Sequence, residues 1–254
     1  MADPDTPKRT VPTRNIGRRG AEETGECTRT LNAFGWQVNE IDPHGQEFND
    51  FARSGATRPM ADLACGFGFS TLALLKESTI PVIANDLSEE HLAQLLTMVT
   101  PEQRRRLTVI PGNALELQFE PGSLDGCQAL RFLHFLHPAE IRRAFENFGR
   151  WIAPGGKLCM TSGTPYLIEA KESGFLQVYE QRKASGDEWP GYMTADNVCW
   201  PEGISVDHGY LFDKDVLQRE ATRAGFRVDR LEYIARDYAY TNGQENIGLL
   251  ATKL

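Results

Sequence analysis

The five cysteines of this 254-residue chain are Cys27, Cys65, Cys127, Cys159 and Cys199. Their number is odd and no two stand at C-x-x-C spacing. That argues against a disulfide framework and a zinc cage, and it fits a reducing, cytoplasmic setting. Cys127 and Cys159 lie in apolar runs and read as core thiols. Long apolar runs are missing too. None approaches the ~18 residues a membrane helix needs, so no membrane partner is expected. Met1 to Gly20 has no apolar centre and does not read as a signal peptide. With Lys8, Arg9, Arg14, Arg18 and Arg19 it reads as a basic tail. Excess positive charge is absent, since the net charge is −8. That argues against a nucleic-acid partner, which a positive field would have to attract. No acidic cluster has metal-binding spacing, so no metal site is expected. Internal repeats and low-complexity stretches are absent. Hydrophobic residues make up 41% and charged residues 24%, which is enough apolar material for one large domain or two small ones.

The most informative stretch is Asp62-Leu63-Ala64-Cys65-Gly66-Phe67-Gly68-Phe69-Ser70-Thr71. A short apolar run, Pro59 to Leu63, enters a loop of small residues that opens a helix over Ser70 to Lys76. Gly66 and Gly68 let the backbone turn sharply and let a ligand approach main-chain N–H groups. A second apolar run, Ile80 to Ala84, ends in Asn85-Asp86, with Asp86 24 positions after Asp62. In a βαβ nucleotide site, a carboxylate at this strand tip holds ribose hydroxyls. The loop departs from the dinucleotide fingerprint, because Thr71 stands where G-x-G-x-x-G/A needs a small residue.

The remaining pattern alternates strands and helices. Phe48, Phe51 and Ala52 have helical spacing. Strands are expected at Met60–Ala64, Pro81–Asn85, Leu107–Pro111, Asp125–Leu130 and Lys157–Ser162. Ser88 caps a helix over about 89 to 99, and Pro138 opens another with Ile141, Ala144, Phe145 and Phe148 on one face. Pro154-Gly155-Gly156 reads as a turn. Strands separated by helices imply parallel pairing with right-handed crossovers. Residues 163 to 210 then lose any clean period and are rich in aromatics. A helix over Phe212–Ala224 follows, stopped by Gly225. Two closing strands, Phe226–Ala235 and Asn246–Lys253, read as an antiparallel hairpin around Asn242-Gly243.

Five marks in this order resemble the class I S-adenosylmethionine-dependent methyltransferases over about residues 45 to 254. They are the glycine loop, Asp86, Gly112-Asn113-Ala114, the Asp125 strand with Leu130-Arg131-Phe132-Leu133 after it, and Pro154-Gly155-Gly156. The family's loop commonly reads Asp-x-Gly/Ala-Cys-Gly-x-Gly, and Ala64 stands here at the first glycine position. The resemblance implies an α/β fold: a doubly wound, seven-stranded, mostly parallel Rossmann-like sheet with a C-terminal antiparallel hairpin. It divides the chain into an N-terminal tail and lid segment, 1–44, and a methyltransferase domain, 45–254, with an acceptor-side cap inserted at 163–210. It implies S-adenosylmethionine as cofactor. The backbone from Ala64 to Gly68 would lie against its methionine portion, and Asp62 would hold the ammonium. Asp86 would take both ribose hydroxyls. Asn113, where Asp is commoner, would touch the adenine amino group beside Ala114. Leu130 and Arg131 would border the reaction centre.

The expected acceptor is a small molecule. The Asn/Asp-Pro-Pro-Tyr/Phe segment of many base and amide methylases is absent, Leu130-Arg131-Phe132-Leu133 standing in its place. His134 and His208 are candidate general bases, since an imidazole titrates near neutral pH, while His137 before Pro138 reads as structural. Tyr166, Trp189, Tyr192 and Trp200 read either as an apolar acceptor pocket or as the core of the cap. Two rivals stay open. The same pocket could serve aminopropyl transfer or cyclisation, or the protein could be a non-catalytic ligand-binding regulator.

Overall fold

The computed structural model describes residues 27–32, 34–200, 204–235 and 243–254. The basic tail and Asn242 lie outside them. The central sheet has seven strands: β3 (Met60–Leu63), β4 (Val82–Asp86), β5 (Leu107–Pro111), β6 (Leu124–Leu130), β7 (Ile152–Gly163), β10 (Phe226–Ile234) and β11 (Asn246–Lys253). Their spatial order is β10-β11-β7-β6-β3-β4-β5. β3 pairs in parallel with both β4 and β6, β4 with β5, and β6 with β7. β11 runs antiparallel to β7 and β10. The result is the mostly parallel α/β sheet, with its C-terminal antiparallel pair, that the sequence implied.

Local chemistry sets the helices. Asp42 accepts from the His44 and Gly45 N–H groups and caps α1 (Pro43–Ser54), whose Phe48 and Ala52 are buried. The helix therefore begins two residues before position 45. Gly68, in the left-handed region, launches α2 (Phe69–Glu77), and Ser88 caps α3 (Glu89–Met98). α5 (Pro138–Trp151) turns Ile141, Ala144, Phe145, Phe148 and Trp151 inward, the stripe its sequence spacing predicts. α8 (Lys214–Arg223) is capped by Asp213, two residues after the expected start.

Three elements differ from the sequence reading. α4 (Pro101–Arg106) was not anticipated, although Thr100 and Gln103 form a capping box ahead of it. β7 starts at Ile152, so Pro154-Gly155-Gly156 lies within a strand rather than in a turn. Gly155 has a φ of 84° there, and the pairing with β6 shifts register at Leu124/Gly126. The mixed segment after Cys27 forms a hairpin of β1 (Cys27–Arg29) and β2 (Trp36–Val38). Strands of three residues are too short for alternation to be read. Residues 163–210 likewise hold only brief elements: α6 (Ile168–Glu172), α7 (Phe175–Ala184) and the pair β8 (Tyr192–Met193) and β9 (Gly209–Tyr210). Phe175, Tyr179, Met193, Cys199 and Leu211 give that segment a small core of its own.

Candidate functional site

The chain runs outward from β3 to β4 and β5, then returns to place β6 on the other side of β3. Such a reversal opens a crevice beyond the carboxyl ends of the strands. A cavity of about 780 Å³ lies there, within the range of small-ligand sites. Its wall includes Asp62, Ala64 and Gly66 from β3 and its loop, and Asp86 from β4. Asn113, Ala114, Leu130 and Arg131 close it from β5 and β6, and His134 and Trp200 also reach it.

The loop after β3 exposes backbone because its conformation leaves little room for side chains. Gly66 has φ 56° and Gly68 has φ 80°. A Cβ on Gly66 would come within 2.6 Å of Gln37 Oε1, and one on Gly68 within 2.4 Å of Leu95. Gly68 is thus a packing requirement for α3 rather than part of the cavity wall. Ala64 also sits in the left-handed region, with φ 53°, where a glycine would be unstrained. Asp62 lies beneath the loop. It is buried, and the Thr71 hydroxyl donates to it at 2.5 Å. Burial pushes its carboxyl up to about 7, with the Asp86 carboxylate adding to the rise. No basic side chain among the described residues offsets that burial. Asp62 is therefore a site that gains from a positively charged ligand group.

Asp86 is buried at the end of β4 and already has three protein donors. Gly66 N–H donates to Oδ2 at 2.8 Å, and Ser88 N–H donates to Oδ1 at 2.9 Å. His91 Nδ1 stands 3.0 Å from the same Oδ1. A carboxylate offers about four acceptor positions, so about one remains for a ligand hydroxyl. The expectation that Asp86 takes both ribose hydroxyls fully is narrowed accordingly. Its carboxylate also fixes the glycine loop. Asn113 has a parallel local duty, its side-chain oxygen accepting from Leu115 N–H at 3.0 Å.

On the other side of β3, Arg131 holds a left-handed φ of 59° at the tip of β6. Its N–H donates to the Thr161 carbonyl and its guanidinium donates to Asn246 Oδ1, both at 2.9 Å. A non-glycine residue in that region carries strain of a kind that clusters at functional sites. His134 is buried beside it, with Nδ1 3.4 Å from the Ser162 hydroxyl. Burial, and then Arg131, bring its pKa down to about 3. It is neutral at pH 7 and a weak proton acceptor.

The other sequence candidates are not brought together there. His208 stacks flat on His137 at 3.9 Å, with Asp207 beside it. Tyr192 gives its hydroxyl to the His137 contact at 2.7 Å, and the Arg142 and Arg219 guanidiniums both lie against the Trp189 ring, 5.2 and 4.8 Å from its centre. Tyr166 packs edge-on to Tyr179 and Tyr233. Of the four aromatics, Trp200 alone lines the cavity. Sequence reasoning missed Gln37, whose Oε1 accepts from Phe67 N–H at 2.7 Å, and Phe34, which faces Phe135 at 4.8 Å. It also passed over His91, although a histidine five residues after the strand-tip acid was a visible signal.

Residues 60–156, from β3 into β7, match the family model described as a methyltransferase domain. That stretch, the strands and loops that build the cavity floor, is therefore similar to a methyltransferase domain. A phosphoethanolamine N-methyltransferase of Caenorhabditis elegans is 27% identical over 147 residues. That match takes in 55% of this chain and 33% of the relative, so the chain spans about a third of the relative's length. An S-adenosylmethionine-dependent methyltransferase of Methanosarcina mazei superposes with a TM-score of 0.62 at 19% identity, covering 85% of this chain and 99% of the other. The 4+2 cyclase SpnF superposes with a TM-score of 0.59 at 14% identity, over 94% and 93%. These two likenesses establish the fold.

Proposed function

We propose that this chain is an S-adenosylmethionine-dependent methyltransferase acting on a small-molecule acceptor in the cytoplasm. The observation that carries the reading is Asp62, a buried carboxylate with no cation beside it among the described residues, set beneath a glycine loop that lines the cavity. It suits an ammonium group. In this reading Asp62 holds the cofactor's ammonium and Asp86 accepts from a ribose hydroxyl. Asn113 and Ala114 border the adenine, and Leu130 and Arg131 border the methionine end. The bound cofactor supplies an electrophilic methyl carbon. The protein's part is to align the acceptor and exclude water. Residues 27–38 act as a lid, within the 1–44 segment, and residues 163–210 act as a cap on the acceptor side of the 45–254 domain. Trp200, from the cap, bounds the acceptor space with Phe135. His134 shapes that space as a neutral imidazole rather than removing a proton.

The C. elegans relative is named for a small phosphorylated amine, which favours a small acceptor here. The likeness to a cyclase keeps the non-methylating alternative in view. Calorimetry with S-adenosylhomocysteine tests the cofactor, and a metabolite extract supplied with methyl-labelled S-adenosylmethionine tests the transfer. The reading expects binding and one labelled methyl on a small product. Binding without any labelled product favours the cyclase-like or regulatory alternative, and absence of binding overturns the reading.

A further inference from the structure

His91 has no part in the assignment above, yet it is buried and both its ring nitrogens are engaged. The Leu31 main-chain N–H, on the β1–β2 hairpin, points to Nε2 at 3.0 Å. A main-chain N–H can only donate, so Nε2 accepts and carries no proton. Nδ1 then carries the proton and donates to Asp86 Oδ1 at 3.0 Å. The ring is also held edge-on by Phe67, with centroids 4.5 Å apart. Phe67 belongs to the glycine loop, and its N–H donates to Gln37 on the second strand of the same hairpin. The hairpin therefore rests on two polar anchors. One is on the glycine loop and the other reaches the strand-tip carboxylate through a single imidazole. Beyond those anchors, Phe34 forms a bridge to Ile204 and packs on Phe135, at the far side of the cavity.

We infer that His91 is a positioning residue that couples closure of the β1–β2 hairpin over the cavity to occupation of the ribose position at Asp86. It does so because one imidazole bonds both partners. A hydroxyl bound at Asp86 fixes the carboxylate. The fixed carboxylate orients the His91 ring, and the oriented Nε2 receives the Leu31 N–H and seats the hairpin. Linkage makes the effect reciprocal, so a seated hairpin raises affinity at Asp86. The inference rests on the reading of Asp86 as the ribose carboxylate.

Two substitutions separate the bonds. In His91→Asn the amide reaches only the position of Nδ1, so the Asp86 contact stays and the Leu31 contact goes. In His91→Gln the longer amide reaches the position of Nε2 and its oxygen can receive the Leu31 N–H. Hydrogen–deuterium exchange over residues 27–38, with and without S-adenosylhomocysteine, reads the hairpin, and calorimetry reads affinity. In the wild type, ligand should slow exchange at Leu31. His91→Asn should exchange fast with or without ligand and bind about 3- to 10-fold more weakly, the worth of one lost hydrogen bond. His91→Gln should keep the hairpin seated. Should His91→Asn fail to fold, Leu31→Pro removes the same N–H from an exposed residue outside the central sheet and should reproduce its effects. Ligand binding that leaves exchange at Leu31 unchanged in the wild type overturns the coupling, and so does equal behaviour of the Asn and Gln variants. If the wild type binds no S-adenosylhomocysteine, the cofactor reading fails on its own, and ligand-free exchange in the two variants still decides whether His91 seats the hairpin.

Discussion

Replacing Asp62 with Asn should make the ligand-free protein more stable while spoiling its ligand site. Burial lifts the Asp62 carboxyl from its ordinary 3.8 to about 7. A group whose folded-state pKa is raised contributes stability that is fully present below its unfolded pKa. That contribution is lost as pH rises through the folded one. Here the loss begins near pH 4 and is complete a little above pH 7. Ionising Asp62 in the ligand-free fold therefore costs up to about 4 kcal/mol at pH 8. At pH 5 the same arithmetic leaves a cost of only about 2 kcal/mol. The amide of the Asp62→Asn variant would still accept from the Thr71 hydroxyl and has no charge to bury. Asp62→Asn should therefore melt higher than wild type at pH 8, by up to about 10 °C for a chain of this size, and the gap should shrink toward pH 5. Differential scanning calorimetry at both pH values, without ligand, measures it. A ligand ammonium would return what burial costs, so the same variant should lose at least about tenfold in S-adenosylhomocysteine affinity. Equal melting temperatures at pH 8, or a gap independent of pH, would refute the claim that Asp62 is a buried charge awaiting a cation.

Three further outcomes follow. At Asp86, an Asn would turn an N–H toward Gly66 N–H on one side or toward Ser88 and His91 on the other, so Asp86→Asn should be no milder than Asp86→Ala. Both should lower the melting temperature, by the ~1–3 kcal/mol of an unsatisfied buried group, and weaken S-adenosylhomocysteine at least about tenfold in calorimetry. Ala64→Gly should relieve a left-handed strain of about 1–2 kcal/mol against a glycine entropy cost of about 0.5–1. A denaturant melt should find it as stable as wild type or up to about 1.5 kcal/mol more stable. Trp200→Ala should impair acceptor turnover with cofactor binding held within about threefold, whereas Trp189→Ala, which removes a ring that two guanidiniums lie against, should cost stability and spare turnover; the reverse result would return Trp189 to the acceptor pocket.

The sheet was legible because its inner parallel strands, β3, β4 and β6, are buried on both faces and read as mostly apolar runs bounded by a punctuating residue. Met60 to Leu63 before the glycines and Val82 to Ala84 before Asn85-Asp86 are of this kind. The cavity floor was legible for the same reason, since tight turns at strand tips constrain residue type. What stayed hidden depends on chain segments that meet from far apart. Gln37 meets Phe67 across 30 positions and Leu31 meets His91 across 60. Neither contact leaves a local period. The acceptor side was hidden differently. Its aromatics were visible, but a tryptophan facing a cavity and one lying against two arginines have the same sequence signature. Trp189 and Trp200 were separated only by what α5 and α8 bring beside the first.

Asp86 illustrates how a correct position can carry an incomplete role. Its place at the tip of β4 follows from the apolar run ahead of it. That it also binds Gly66 N–H, Ser88 N–H and His91 depends on how the glycine loop and α3 converge on that tip. A carboxylate that supports the loop beside it cannot be a removable contact, because the loop's left-handed turns expose N–H groups that need acceptors. Loss of the Asp86 carboxylate should therefore appear first as a looser glycine loop, in faster amide exchange at Gly66 without any ligand present. Weaker ligand affinity would follow from that loosening.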